Sequence, residues 1–97
     1  MSDTVTHHLR ITGRVQGVGY RVSLIAVAGQ LGLKGWVRNC RDGSVEAVAQ
    51  GPAKTVDNLV AWARQGPPQA KVDQVEESAA GEADQGPFAG FHVRADA

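Results

Sequence analysis

At 97 residues, with a net charge of zero, 42% apolar and 21% charged side chains, the chain is expected to fold as one domain spanning 1–97. This composition excludes intrinsic disorder, the single cysteine (Cys40) excludes an intrachain disulfide or a multi-cysteine metal site, and no apolar run approaches the ~18 residues that cross a bilayer. Residues 1–45 carry six Lys/Arg against Asp3 and Asp42, and residues 46–97 carry four against eight acids, so a small anion suits the first half better than nucleic acid does.

The opening stretch, Met-Ser-Asp-Thr-Val-Thr-His-His, lacks the basic and apolar regions of a secretory signal, and a cytoplasmic location is expected. Leu9, Ile11, Gly13 and Val15 alternate with Arg10, Thr12 and Arg14, predicting a half-buried strand over about 7–15. A glycine-punctuated turn follows and ends in Arg21, where a helix begins. A cation there opposes the helix macrodipole by roughly 0.3–1 kcal/mol. The arrangement makes sense if backbone N–H groups and a guanidinium converge on an anion.

Leu24, Val27, Ala28 and Leu31 form an apolar stripe that Val22, Ile25 and Ala26 widen, predicting a largely buried helix over 21–31 that stops at Gly32. Two strands, 34–41 and 44–51, flank Asp42-Gly43, a pair that favours a type I′ hairpin turn. Gly51-Pro52 then opens a second helix with proline at its first position. Val56, Leu59, Val60 and Ala63 mark its apolar face, and Gly66-Pro67-Pro68 ends it. Val72 and Val75 suggest a short, vestigial strand at 70–78, and residues 79–87 read as a loop. Phe91, Val93 and Ala95 predict a last strand. The order β-α-β-β-α-β-β gives an α+β, ferredoxin-like split βαβ sandwich (βαββαβ), an antiparallel sheet with two helices on one face.

Three familiar phosphate motifs fail. A dinucleotide fingerprint starting at Gly17 needs a third glycine where Val22 stands, and a P-loop starting at Gly13 needs Gly-Lys where Val18-Gly19 stands. A Cys-x5-Arg loop starting at Cys40 meets Glu46 instead of arginine. What remains is Gly-Arg-Val-Gln-Gly-Val-Gly-Tyr-Arg (13–21), followed by Gly-Trp-Val-Arg-Asn (35–39) and Asp-Gly-Ser-Val-Glu-Ala (42–47). Together these segments resemble the acylphosphatase family. The strong match covers residues 13–51.

The resemblance implies hydrolysis of acyl phosphates to carboxylate and inorganic phosphate, without a metal or other cofactor. By match to the family motif, Arg21 is expected to hold the phosphoryl group with backbone N–H groups of Val15, Gln16, Gly17, Val18, Gly19 and Tyr20. Asn39 is expected to orient the attacking water. The chemistry is coherent, because a mixed anhydride carries a good leaving group, and the remaining task is to place a water and stabilise phosphoryl charge. A small-molecule acyl phosphate is the expected partner, with no nucleic acid and no membrane, and the chain is expected to act as a monomer.

Outside that context each residue has a plainer role. Arg21 alone reads as a surface arginine, and Asn39 as a strand-end residue bonding locally. Gln16 suits bracing the loop, Tyr20 packing, and Trp36 and Trp62 core or shelf positions. Cys40 reads as an inert, strand-borne thiol. His7 and His8 read as solvated, on opposite faces of their strand. The chain departs from many relatives near its end, where Arg94 is followed by Ala95-Asp96-Ala97 rather than an aromatic. The principal alternative is a non-catalytic ferredoxin-like module that binds an anion or a partner, since the fold alone does not choose. The motif also resembles the N-terminal domain of the hydrogenase-maturation carbamoyltransferases, which commonly place proline where this chain has Val22.

Overall fold

The computed structural model describes residues 3–97; Met1 and Ser2, part of the stretch read for a secretory signal, lie outside the described residues. The elements are β1 (Thr4–Arg14), α1 (Tyr20–Gln30), β2 (Lys34–Asn39), β3 (Val45–Pro52), α2 (Ala53–Gln65), β4 (Lys71–Ala79), a 3₁₀ turn (Glu82–Asp84) and β5 (Phe91–Val93). The strands form one sheet in the order β4-β1-β3-β2-β5. β3 pairs antiparallel with both β1 and β2, so those two strands run parallel with β3 between them, as a split βαβ unit requires. β4 pairs antiparallel with the other side of β1, and β5 joins β2 in parallel.

Alternation along the strands sorts their side chains between two faces. Leu9, Ile11, Val37, Val45, Ala47 and Val75 are buried against Leu24 and Ala28 of α1 and Val56, Leu59, Val60 and Ala63 of α2. At roughly 1.5–3 kcal/mol for a fully buried Val, Leu or Ile, this shared core holds the helices to the sheet. The opposite face has a smaller cluster, in which Trp36, Val48 and Ala80 pack with Phe88 under the segment joining β4 to β5.

Several expectations are corrected. The buried face of α1 is narrower than its composition suggests: Tyr20, Leu24 and Ala28 are buried, but Val22 is 75% exposed and Ala26 is exposed. Val22 lies two positions from Leu24, roughly 200° around the helix, so it faces away from the sheet. The helix does stop at Gly32, through paired bonds from Gly32 N–H to Gly29 O (3.1 Å) and Leu33 N–H to Ala28 O (2.9 Å).

The β2–β3 connection is not a two-residue type I′ turn. Cys40 N–H donates to Ser44 O (2.9 Å) and Gly43 N–H to Cys40 O (3.1 Å), and of the turn residues only Gly43 has positive φ (91°). This is a three-residue loop in which a tight turn is followed by one left-handed glycine. Asp42 keeps an ordinary backbone because its carboxylate accepts from the Ser44 N–H (2.9 Å) and hydroxyl (2.6 Å). Cys40 consequently lies in the turn, not on the strand.

Pro52 ends β3 and caps α2 instead of opening it, with φ −56° and ψ 140°. The proline ring fixes φ but leaves ψ free to continue the strand. β4 is no vestige: its nine residues pair with β1 from His7↔Ala79 to Arg14↔Lys71. Its side chains are mostly exposed, with Val75 buried, so the apolar pattern under-reports a strand held by backbone bonds. His7 and His8 also find partners, Nδ1 of His7 meeting Glu77 at 2.6 Å and Nε2 of His8 meeting Glu46 at 2.6 Å.

Candidate active site

The segment between β1 and α1 alternates anchors with openings. Val15 and Tyr20 are buried, and Val18 packs against the core, which pins the loop at three points. Gly17 (φ 74°) and Gly19 (φ 77°) turn the chain between them, and a Cβ placed at either would meet nothing within 4 Å. Their outer side is therefore open, and a left-handed backbone there favours glycine. Gly19 caps α1 without a side-chain bond, and no acid occupies the first turn. The first intrahelical bond runs from Ser23 N–H to Gly19 O (3.1 Å), so the preceding N–H groups of Tyr20, Arg21 and Val22 lack helical partners. Free N–H groups at a helix start can hold an anion, and with the glycine turn before them they make this loop the candidate cradle.

Two residues of the cradle have structural side chains. The Gln16 amide donates to both Cys40 O and Ser44 O at 2.8 Å, tying the loop to the β2–β3 turn. The Tyr20 hydroxyl donates to Ala63 O at 2.8 Å, and its ring lies 5.5 Å from that of Trp62. Burial raises the Tyr20 pKa above its ordinary value, so the hydroxyl stays a donor to α2 and is no general base.

Asn39 reaches the same end of the molecule by topology. β1, β2 and β5 run parallel, so their carboxyl ends share one edge of the sheet, and the cradle follows β1 directly. At the end of β2, Asn39 Oδ1 is buried and has no hydrogen-bond partner. The residues after β5 continue along β2: Arg94 N–H donates to Val37 O (2.9 Å), Ala97 N–H to Asn39 O (2.9 Å), and Arg41 N–H to Ala97 O (2.7 Å). That alignment brings Asp96 Oδ1 to 3.5 Å from Arg21 Nη1. The chain end thus touches both residues singled out in the sequence, through the Asp96 side chain and the Ala97 backbone. Nothing in the sequence pattern marked Asp96, because its position depends on the β2–β5 pairing.

Cys40 adjoins Asn39 but turns elsewhere, its Sγ lying 4.0 Å from Glu46 Oε1 on the face that also carries Arg38 and His8. Burial alone would raise the Glu46 pKa, but hydrogen bonds from His8 and Arg38 outweigh it and the net direction is downward. On the same face Arg38 and Arg94 stack on Trp36, at 4.9 and 4.3 Å from the ring centroid.

A split βαβ sheet with a glycine-lined turn leading to an arginine, at the carboxyl ends of its parallel strands, defines a small α+β protein of ferredoxin-like architecture. The acylphosphatase family model matches residues 7–93, and the chain belongs to that family. It is 52% identical to an acylphosphatase of Thiobacillus denitrificans, over 94% of this chain and 98% of that protein. Among solved structures, an acylphosphatase from Coxiella burnetii superposes with a TM-score of 0.87 at 36% identity, covering 95% of this chain and 94% of that one. HypF of Thermococcus kodakarensis matches with a TM-score of 0.79 at 26% identity, covering 95% of this chain but only 12% of that much longer one. No helix among the described residues is long and apolar enough to cross a membrane.

Proposed function

We propose that this protein hydrolyses acyl phosphates, with Arg21 and the amides of residues 15–20 holding the phosphoryl group and Asn39 positioning the water. The observation that carries the reading is Asn39 Oδ1, a buried acceptor without a partner beside an anion cradle. Holding such an atom unpaired costs on the order of 1–3 kcal/mol, and a buried polar group kept at that cost is a mark of function. Family membership supports the substrate class.

In this scheme the phosphoryl oxygens accept from the loop N–H groups and the guanidinium, which stabilise negative charge in the transition state. Water held by Asn39 attacks phosphorus in line. A new P–O bond forms, the P–O bond to the acyl group breaks, and its electron pair leaves on the carboxylate. That carboxylate is a weak base, with an ordinary pKa near ~4, so it departs unprotonated. The water's proton passes to a phosphoryl oxygen and leaves with phosphate. The chain's own task is placement and charge stabilisation, and one copy supplies all the groups invoked, which suits a monomer.

The test is steady-state hydrolysis of benzoyl phosphate, with EDTA present and inorganic phosphate as inhibitor. The wild-type protein is expected to turn over, with phosphate competitive. Arg21→Ala and Asn39→Ala are each expected to lower kcat/KM by about 10²–10³-fold or more while circular dichroism is preserved. Wild-type turnover by Asn39→Ala would remove it from the mechanism. Phosphate binding without turnover by folded wild-type protein would leave the anion-binding module as the function.

A further inference from the structure

Arg21 does not wait for its anion alone. Among the described residues its one ion-pair partner is Asp96, through a single contact of 3.5 Å between partly exposed side chains (37% and 66%). The neighbouring backbone fixes where that carboxylate stands: Arg94 N–H is bonded to Val37 O, and Ala97 is bonded on both sides, to Asn39 O and from Arg41 N–H. Asp96 is therefore delivered to the cradle by strand pairing, although its side chain is exposed and weakly held.

Resting on the proposed hydrolytic reading of this site, we propose that Asp96 sets the affinity of the cradle by acting as a displaceable counter-ion of Arg21. One long contact leaves most of the guanidinium fork free to take two phosphoryl oxygens. An exposed pair of this kind is weak and readily exchanged. When the phosphoryl group arrives, Arg21 gives up Asp96, and the carboxylate remains beside it as a like charge. The substrate and the phosphate product present the same anionic end, so both meet the same competition. Asp96 thus raises KM and the phosphate inhibition constant together and helps the product leave. It touches Arg21 and not the reacting atoms, which makes it a positioning residue.

The experiment compares the wild type with Asp96→Asn and Asp96→Glu, measuring KM for benzoyl phosphate and Ki for inorganic phosphate at low and high ionic strength, with melting curves to verify folding. Asp96→Asn is expected to lower KM and Ki by a common factor of about two to five. That factor shrinks as the Debye length falls from roughly 30 Å at 0.01 M salt to roughly 3 Å at 1 M. Asp96→Glu, which keeps the charge, is expected to hold both constants above those of Asp96→Asn. Asp96→Ser is read in the same way should the asparagine variant fold poorly. Unchanged constants, increased constants, or a decrease insensitive to salt would each overturn the proposal. Arg21→Ala separates the two readings: if it abolishes turnover while Asp96→Asn behaves as wild type, only the counter-ion role fails. If Arg21→Ala itself turns over normally, the active-site reading fails.

Discussion

Gln16 and Tyr20 bracket the cradle glycines, and their side chains do their work on other parts of the fold. Both amide hydrogens of Gln16 go to the β2–β3 turn, so the glycine loop and the strand end bearing Asn39 are tied through one residue. Gln16→Leu leaves Cys40 O and Ser44 O without that donor, at a cost of about 1–3 kcal/mol. Urea unfolding is expected to show that loss, and steady-state kinetics a larger rise in KM than fall in kcat, since the loop loosens while Arg21 and Asn39 remain. An unchanged KM would mean that the loop holds its shape without the brace. At this scale the sequence was informative where residue type alone suggests the role, as in the packing of the aromatic Tyr20 and the bracing by the Gln16 amide. It was silent on Asp96, whose partner lies 75 positions away in the chain.

Among the elements, the two helices were the most legible, because their apolar stripes face one broad sheet and the stripe repeats over several turns. The exposed Val22 shows the limit of this signal, since an apolar side chain is compatible with either face. The hairpin differs from the type I′ expectation for a related reason. Asp-Gly suits several tight turns, and the choice between them depends on the register Asn39↔Val45 and on the bonds from Ser44 to Asp42. Only Gly43 needs a left-handed backbone. Gly43→Ala is thus expected to destabilise by about 1–2 kcal/mol from φ alone, as a Cβ there meets open space. Equilibrium denaturation checks this, and a neutral result would show that the turn adopts another form. β4 is expected from the sequence only as a short vestige at 70–78, because an edge strand held by its backbone bonds needs few apolar side chains.

Across the whole molecule, the hairpin carboxylate links folding to pH. Hydrogen bonds from the Ser44 hydroxyl and N–H, and then from Arg10, hold Asp42 at about 2, below its ordinary 3.8. A carboxylate with a lowered folded pKa binds fewer protons than in the unfolded chain, so its contribution is present above pH ~4 and fades as pH falls toward 2. Glu46 shifts in the same direction. The difference in unfolding free energy between wild type and Asp42→Asn is therefore expected to be level above about pH 5 and to narrow between about pH 4 and 2. Urea titrations over that range test the sign, and a gap that widens on acidification would contradict it.

The sequence by itself determined the order of elements and the two-helix core, since these rest on local periodicity and turn chemistry, and its resemblance to a family marked the paired motifs ending in Arg21 and Asn39. Tertiary structure alone decided that the ends of β1, β2 and β5 meet at one edge. The physical reason is that strand order and direction are set by backbone pairing between distant segments, which side-chain patterns scarcely record. That pairing brings Asp96 and Ala97 to the two residues the sequence had already marked, and so completes the surroundings of the proposed site.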